Sequence, residues 1–175
     1  MPRRASEKGT RRVRSVSLIA LTALAALLIQ TTLIPLLPFG AAMPDLLLVV
    51  CVYLGLYFHS PWGALGAFAI GYVQDSFSGS LPGLNAFAMT VVFIAVYLAS
   101  RRLWVTNTLS KIVLVFLASL LKTFAIIAVL GAFLSLEGVW RTAVKYVFIE
   151  AVLAAAIGPL MFALLARTQQ VAPEH

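Results

Sequence analysis

The stretch IVLVFLASLLKTFAIIAVLGAFL, residues 112–134, holds a single charged residue, Lys122, among twenty-three. Wound as a helix at about 1.5 Å per residue it reaches roughly 34 Å, enough to cross a hydrocarbon core of about 30 Å. The rest of the chain has the same character. Of its 175 residues 62% are hydrophobic and 11% charged, and the mean hydropathy is +1.00. Soluble domains sit near ~45–50% apolar and ~25% charged. A soluble globule of this size could not hide so much apolar surface, and disorder needs the opposite composition. The sequence therefore predicts an all-α fold, a polytopic membrane helix bundle.

Five more apolar segments flank the first, which makes six transmembrane helices. Residues 16–34 form the first span, ended by Pro35 and Pro38, which cannot continue a helix. A basic start followed by an apolar run resembles a signal peptide, but this run is long and more spans follow, so an uncleaved helix is expected. Spans two (45–59) and three (62–75) are separated by His59-Ser60-Pro61-Trp62. The residue before a proline is pushed out of the helical region. At about 22 Å each, these two are short for a bilayer, and a tight hairpin of short helices is expected, matched by thinning or by packing inside the bundle. Spans four (84–99), five (112–134) and six (142–166) complete a single transmembrane domain, 16–167, between a basic tail, 1–15, and a short tail, 168–175.

Charge sets the orientation. Six of the thirteen basic residues, Arg3, Arg4, Lys8, Arg11, Arg12 and Arg14, precede the first span. The loops after spans one and three have none, whereas Arg101, Arg102 and Lys111 follow span four and Arg167 follows span six. Arg141, after span five, is offset by Glu137. Cytoplasmic loops carry the Lys/Arg excess, so both termini are expected in the cytoplasm. The basic arm is read as this topology signal, with modest attraction to anionic membrane lipid and no nucleic-acid role. Asp45, Asp75 and the Ser/Gly/Pro loop 76–83 then face outside, and Trp104 and Trp140 fall at interfaces.

The polar and small residues within the spans are few. Gly63, Ala67 and Gly71 recur every fourth residue, share one face and predict close helix packing, with Asp75 continuing the stripe. Lys122 and Glu150 sit near mid-depth, where an ionisable group costs at least ~2.5–3.5 kcal/mol. Spans five and six form an antiparallel hairpin, so a Lys122–Glu150 pair, or a shared polar network, is expected, serving helix register before ligand recognition or proton movement. Lys145 is close enough to the outer end to snorkel, and His59 is read as a solvated turn residue. The lone Cys51 permits no intramolecular disulfide and no Cys-based metal site. A phosphate loop, His-Glu-x-x-His, a Cys/His cluster and a serine-nucleophile motif are all missing from the sequence. No catalytic, cofactor or metal residues are therefore assigned, and an enzyme is not expected.

Two short stretches carry a resemblance. Met43-Pro44-Asp45-Leu46-Leu47-Leu48 and the run from Gly71-Tyr72-Val73-Gln74-Asp75 through Ser78-Gly79 and Pro82-Gly83-Leu84-Asn85-Ala86 resemble the MreD family of bacterial rod-shape-determining membrane proteins. Pro44, Asp45, Gly71, Asp75, Gly79, Gly83 and Leu84 match its pattern. The resemblance implies a non-enzymatic scaffold in the bacterial inner membrane. Such a scaffold binds the bitopic protein MreC and, through it, the elongasome of RodA-type polymerase, class B penicillin-binding protein and MreB that couples peptidoglycan synthesis to cell shape. Asp45, Asp75, Gly79 and Gly83 are then the expected partner-binding residues, and a homodimer is left open. Asp45 suits the positive end of span two. Asp75, at the unfavourable end of span three, needs loop N–H groups, a basic partner or solvent.

The family also looks like the six-helix S components of energy-coupling-factor (ECF) transporters. That gives the competing function, a substrate-binding subunit for a small vitamin-type solute, with Lys122, Glu150, Asn85 and Gln30 as candidate ligand contacts. The S-component Ala-x-x-x-Ala motif is only approximated, by Thr22 and Ala26; Ala20, Ala23, Ala25 and Ala26 include no pair four apart. A third reading, a cytoplasmic regulator acting through the basic tail, rests on composition alone.

Overall fold

The computed structural model describes residues 17, 20–33, 44–58, 61–78, 81–102, 107–133 and 139–170. The basic arm, Pro35, Pro38, Met43, His59, Gly79 and Trp104 lie outside the described residues, as do the side chains of Trp140, Arg141 and Lys145. Six helices follow one another: α1 (Ala20–Thr32), α2 (Leu46–Tyr57), α3 (Pro61–Ser78), α4 (Leu84–Arg102), α5 (Thr108–Phe133) and α6 (Val139–Gln170). The end of α1 loosens into a π-turn, Ile29–Leu33. Each of the six expected segments is a helix. In lipid this is the economical solution, because a helix satisfies its backbone hydrogen bonds within one segment.

The sequence of α2, LLLVVCVYLGLY, has no polar side. A helix apolar all round must be covered all round. Every residue of α2 except Tyr57 is buried, against α3, α4, α5 and α6. Its twelve residues span only about 18 Å. α2 is thus a strut enclosed by longer helices, and its short length is packed inside the bundle. Among the described residues three stretches are long and apolar enough to cross a membrane: Leu84–Arg102, Thr108–Ala132 and Val147–Arg167. Their outward positions remain apolar, including Ile94, Leu98, Val113, Leu117, Val152 and Leu160. That is the surface a lipid-facing bundle presents.

α3 starts on Pro61, where the missing N–H would have had no helical partner anyway. It runs three residues past the expected end, because 76–78 continue the helix; the described turn is at Pro82 and Gly83. Its buried residues are Gly63, Ala67, Gly71 and Asp75, one row at four-residue spacing. The row lies against α4. A Cβ on Gly71 would sit 2.5 Å from both the Ala86 Cα and the Asn85 carbonyl oxygen. Backbone meets backbone there, and close approach of this kind drives helix association where lipid removes the hydrophobic incentive.

The Gly71 contact gives a matched pair of expected outcomes. Gly71→Ala must push the two backbones apart and should destabilise the protein by about 1–3 kcal/mol. Gly66→Ala, whose new Cβ would meet only Leu54 Cδ1 at 3.7 Å, should be neutral or stabilising. Unfolding midpoints in detergent check both.

Candidate functional site

Asp45 precedes three leucines, and short polar residues in that position cap helices. Its backbone is extended, and its Oδ1 accepts a hydrogen bond from the Leu48 N–H at 3.0 Å. Because α2 is enclosed, the cap is enclosed too: Asp45 is only 2% exposed. The sequence put Asp45 at the outer, positive end of span two without reading its burial; the structure buries that end because α2 is enclosed by its neighbours. Its other oxygen, Oδ2, accepts from Lys122 Nζ in a buried ion pair and from Gln74 Nε2 at 3.4 Å. Lys122 Nζ also donates to Gln74 Oε1 at 3.3 Å. Three helices thus meet in one polar triangle: α2 through Asp45, α3 through Gln74 and α5 through Lys122.

Lys122 lies about 21 Å along α5 from Thr108 and about 16 Å from Phe133, in the apolar middle of the helix. An isolated charge there would be expensive. The acid that neutralises it is Asp45, and the expected Lys122–Glu150 pair does not form. α5 and α6 do pack together. Their seam is taken by Phe116 and Phe148, edge to face with centroids 5.9 Å apart. Glu150 is two residues beyond Phe148, a rotation of about 200° around the helix, so it lies off that aromatic contact, and Lys122 is bonded to Asp45 and Gln74 instead. Depth was matched, but direction was not.

Asp75 ends the buried row of α3 and is 4% exposed. Its Oδ2 accepts from the Gly83 N–H at 2.9 Å and the Ala86 N–H at 3.2 Å. Its Oδ1 accepts from the Asn85 N–H at 3.0 Å and from Asn85 Nδ2 at 2.9 Å. The Asn85 and Ala86 N–H groups belong to the first turn of α4, where backbone N–H groups have no helical acceptor. The residue before α4 is Gly83, with φ +92 and no side chain to offer. That backbone angle suits glycine, and the missing capping oxygen is supplied by Asp75 from the neighbouring helix. The unfavourable dipole at the end of α3 is thereby replaced by the favourable one at the start of α4. Of the three possibilities left open by the sequence, loop and helix N–H groups are the one seen among the described residues.

Gln74 is the residue the sequence reading passed over. It and Asp75 are neighbours that serve opposite sides of α3, one tied to α2 and α5, the other to α4. A second polar residue beside an aspartate at the end of an apolar segment was the available signal. Cys51 is buried, with Sγ donating to the Met89 carbonyl at 3.3 Å across the α2–α4 contact. Among the described residues no cluster of three His, Cys, Asp or Glu side chains is placed to hold a metal.

The candidate solute contacts are dispersed. Lys122 is in the triangle, Asn85 is in the α4 cap, and Gln30 is in the π-turn of α1 with its Oε1 buried and unpaired among the described residues. Two cavities of about 180 and 190 Å³ lie along α1 and α3 and share Ala20, Ala23, Ala69 and Ile70. None of the four candidates lines either one. A third cavity, about 290 Å³, lies between the turn before α4 and the far end of α5, lined by Leu81, Pro82, Gly83, Leu84, Phe87, Val129 and Leu130.

The family model described as "rod shape-determining protein MreD" matches residues 10–168. No curated protein and no solved structure matches the chain.

The polar triangle makes a prediction that separates it from the pairing read off the sequence. Lys122→Met strands a buried carboxylate and should cost about 3–5 kcal/mol. Asp45→Asn keeps a capping side chain but strands the lysine, with a similar loss. The double variant Asp45→Asn/Lys122→Met should recover most of the stability, whereas Lys122→Met/Glu150→Gln should be additive. Double-mutant cycles on unfolding midpoints in detergent decide between the two pairings.

Proposed function

From the premise that the chain belongs to the MreD family, a family of rod-shape-determining membrane proteins, we propose that it is a non-enzymatic scaffold of the bacterial cell-elongation complex. In this reading it binds an MreC-like bitopic partner in the inner membrane and helps couple peptidoglycan synthesis to cell shape. RodA-type polymerase, class B penicillin-binding protein and MreB are reached through that partner. The observation that carries the reading is the capping of α4 by Asp75. It ties the turn before α4 to the end of α3 and so holds the 290 Å³ apolar cavity open beside Leu81 and Pro82. A cavity of this lining suits an apolar side chain from a partner. Asp45 and Asp75 act on the contact by holding the helices that frame it; Gly83 lies in the turn itself.

Orientation supports the same reading. At the opposite end of the bundle, Lys111 Nζ lies 5.9 Å from the Tyr57 ring centroid and 5.7 Å from that of Phe162. Arg101 lies 5.7 Å from the ring of Tyr97. Cations on aromatic side chains mark the membrane interface, and the basic end belongs to the cytoplasm. A multi-pass arrangement with six spans and both termini cytoplasmic then places the cavity outside, where the bulk of a bitopic partner of this kind would lie. The transporter alternative receives less support, because the two cavities along α1 and α3 lack a polar group that would recognise a solute.

Leu81 is exposed, so Leu81→Asp should leave the melting temperature unchanged yet lower co-purification of the MreC-like partner about tenfold. Asp75→Ala and Gly79→Leu should reduce both partner recovery and rod shape. Unchanged recovery and unchanged cell shape in all three would remove the loop as the contact.

A further inference from the structure

Glu150 is the titratable group that the polar triangle does not use. It lies inside the apolar stretch Val147–Arg167 and is half-buried. Among the described residues no hydrogen bond or ion pair reaches it, although it feels the charges of both Asp45 and Lys122. The Asp45–Lys122 pair neutralises itself, so among the described residues Glu150 has no cation of its own. A carboxylate at that depth needs a partner.

Its direction says where the partner would come from. Phe148 faces α5, and Glu150 points to the other edge of α6. That edge continues through Leu153, Ile157 and Met161, all half-buried, at offsets of three, seven and eleven residues. Spacing of this kind forms a seam for a second helix. The seam is apolar except for one acid. A second copy of this chain related by a two-fold axis would set Glu150 near Glu150, and Lys122 is already engaged by Asp45.

We infer that the Glu150 edge of α6 is a docking seam for the membrane-spanning helix of another protein, one that carries a lysine or arginine at the depth of Glu150. This goes beyond the loop contact proposed above and draws on the scaffold reading only for the expectation of a single-span partner. The seam lies within the membrane, whereas the cavity beside Leu81 lies at the bundle's end, so one partner can engage both.

A photo-crosslinking residue at Leu153, in the full-length protein in its own membrane, tests the seam, with the same residue at Phe148 as the opposite-edge control. The expected result is an adduct from Leu153, weaker from Phe148, to a spanning segment with a basic residue within one turn of the crosslinked position. Glu150→Gln should lower the yield about tenfold, and Glu150→Lys should abolish it. Exchanging the partner's basic residue for Glu should restore the adduct with Glu150→Lys and not with the unaltered chain. Adducts to lipid alone, to a second copy, or to a segment without a basic residue overturn the inference, as does a yield indifferent to Glu150→Lys. If the MreC-like protein is still recovered in those cases, the scaffold reading stands without the seam. A charge-exchangeable adduct to a different bitopic protein, with no MreC-like protein recovered, keeps the seam and removes the scaffold reading.

Discussion

The carboxylate of Asp45 does two jobs that the rest of the bundle depends on. One oxygen closes the first turn of α2, and the other neutralises Lys122. Neither job is optional. α2 starts inside the protein, where water cannot satisfy its first N–H groups, and α5 carries its lysine where an unpaired charge costs several kcal/mol. Placing the two needs together lets one buried acid answer both. It also fixes the height of α2 against α5, because sliding α2 by one turn, about 5.4 Å, would break the cap or the pair.

Asp75 applies the same solution one helix further on. A carboxylate from α3 closes the start of α4, with Gly83 providing the backbone angle and no competing side chain. The small row Gly63, Ala67 and Gly71 then lets the two backbones approach closely enough for the carboxylate to reach. Packing and capping are thus one device: without the close approach the acid would be stranded, and without the acid the start of α4 would be unsatisfied. Gln74, next to it, ties the α3–α4 hairpin to the Asp45–Lys122 pair. The two carboxylates therefore hold α2 to α5 across one polar neighbour and α3 to α4 across the next.

Much of this was legible in the sequence, and what was missed has a physical cause. Hydropathy located six helices, and four-residue spacing named the buried row of α3, because both depend only on which residues lie within one helix. The partner of Lys122 was misread because hydropathy reports depth along a helix and says nothing of direction around it. Phe148 occupies the side that Glu150 would have needed. The burial of Asp45 was not foreseen because a residue at the end of a span is ordinarily at the membrane's edge. That rule fails for a helix of twelve residues enclosed by longer ones. Gln74 stayed unread because an amide has no charge to demand an explanation, although it bridges both members of the pair.

The distribution of polar groups bears on what kind of membrane protein this is. A solute carrier needs polar side chains that converge on a space and stay available to a ligand. Here the amides and charges of Asp45, Gln74, Asp75, Asn85 and Lys122 are turned toward one another or toward helix ends, and the two cavities along α1 and α3 are lined by apolar side chains. Internal pairing of this sort makes helix positions costly to change, since opening the triangle would expose two charges to a low-dielectric interior. A bundle held in that way gains little from alternating between shapes and much from keeping one. The turn before α4 and the exposed apolar edges of the long helices are then fixed in relation to each other, by the same buried polar contacts that hold the helices.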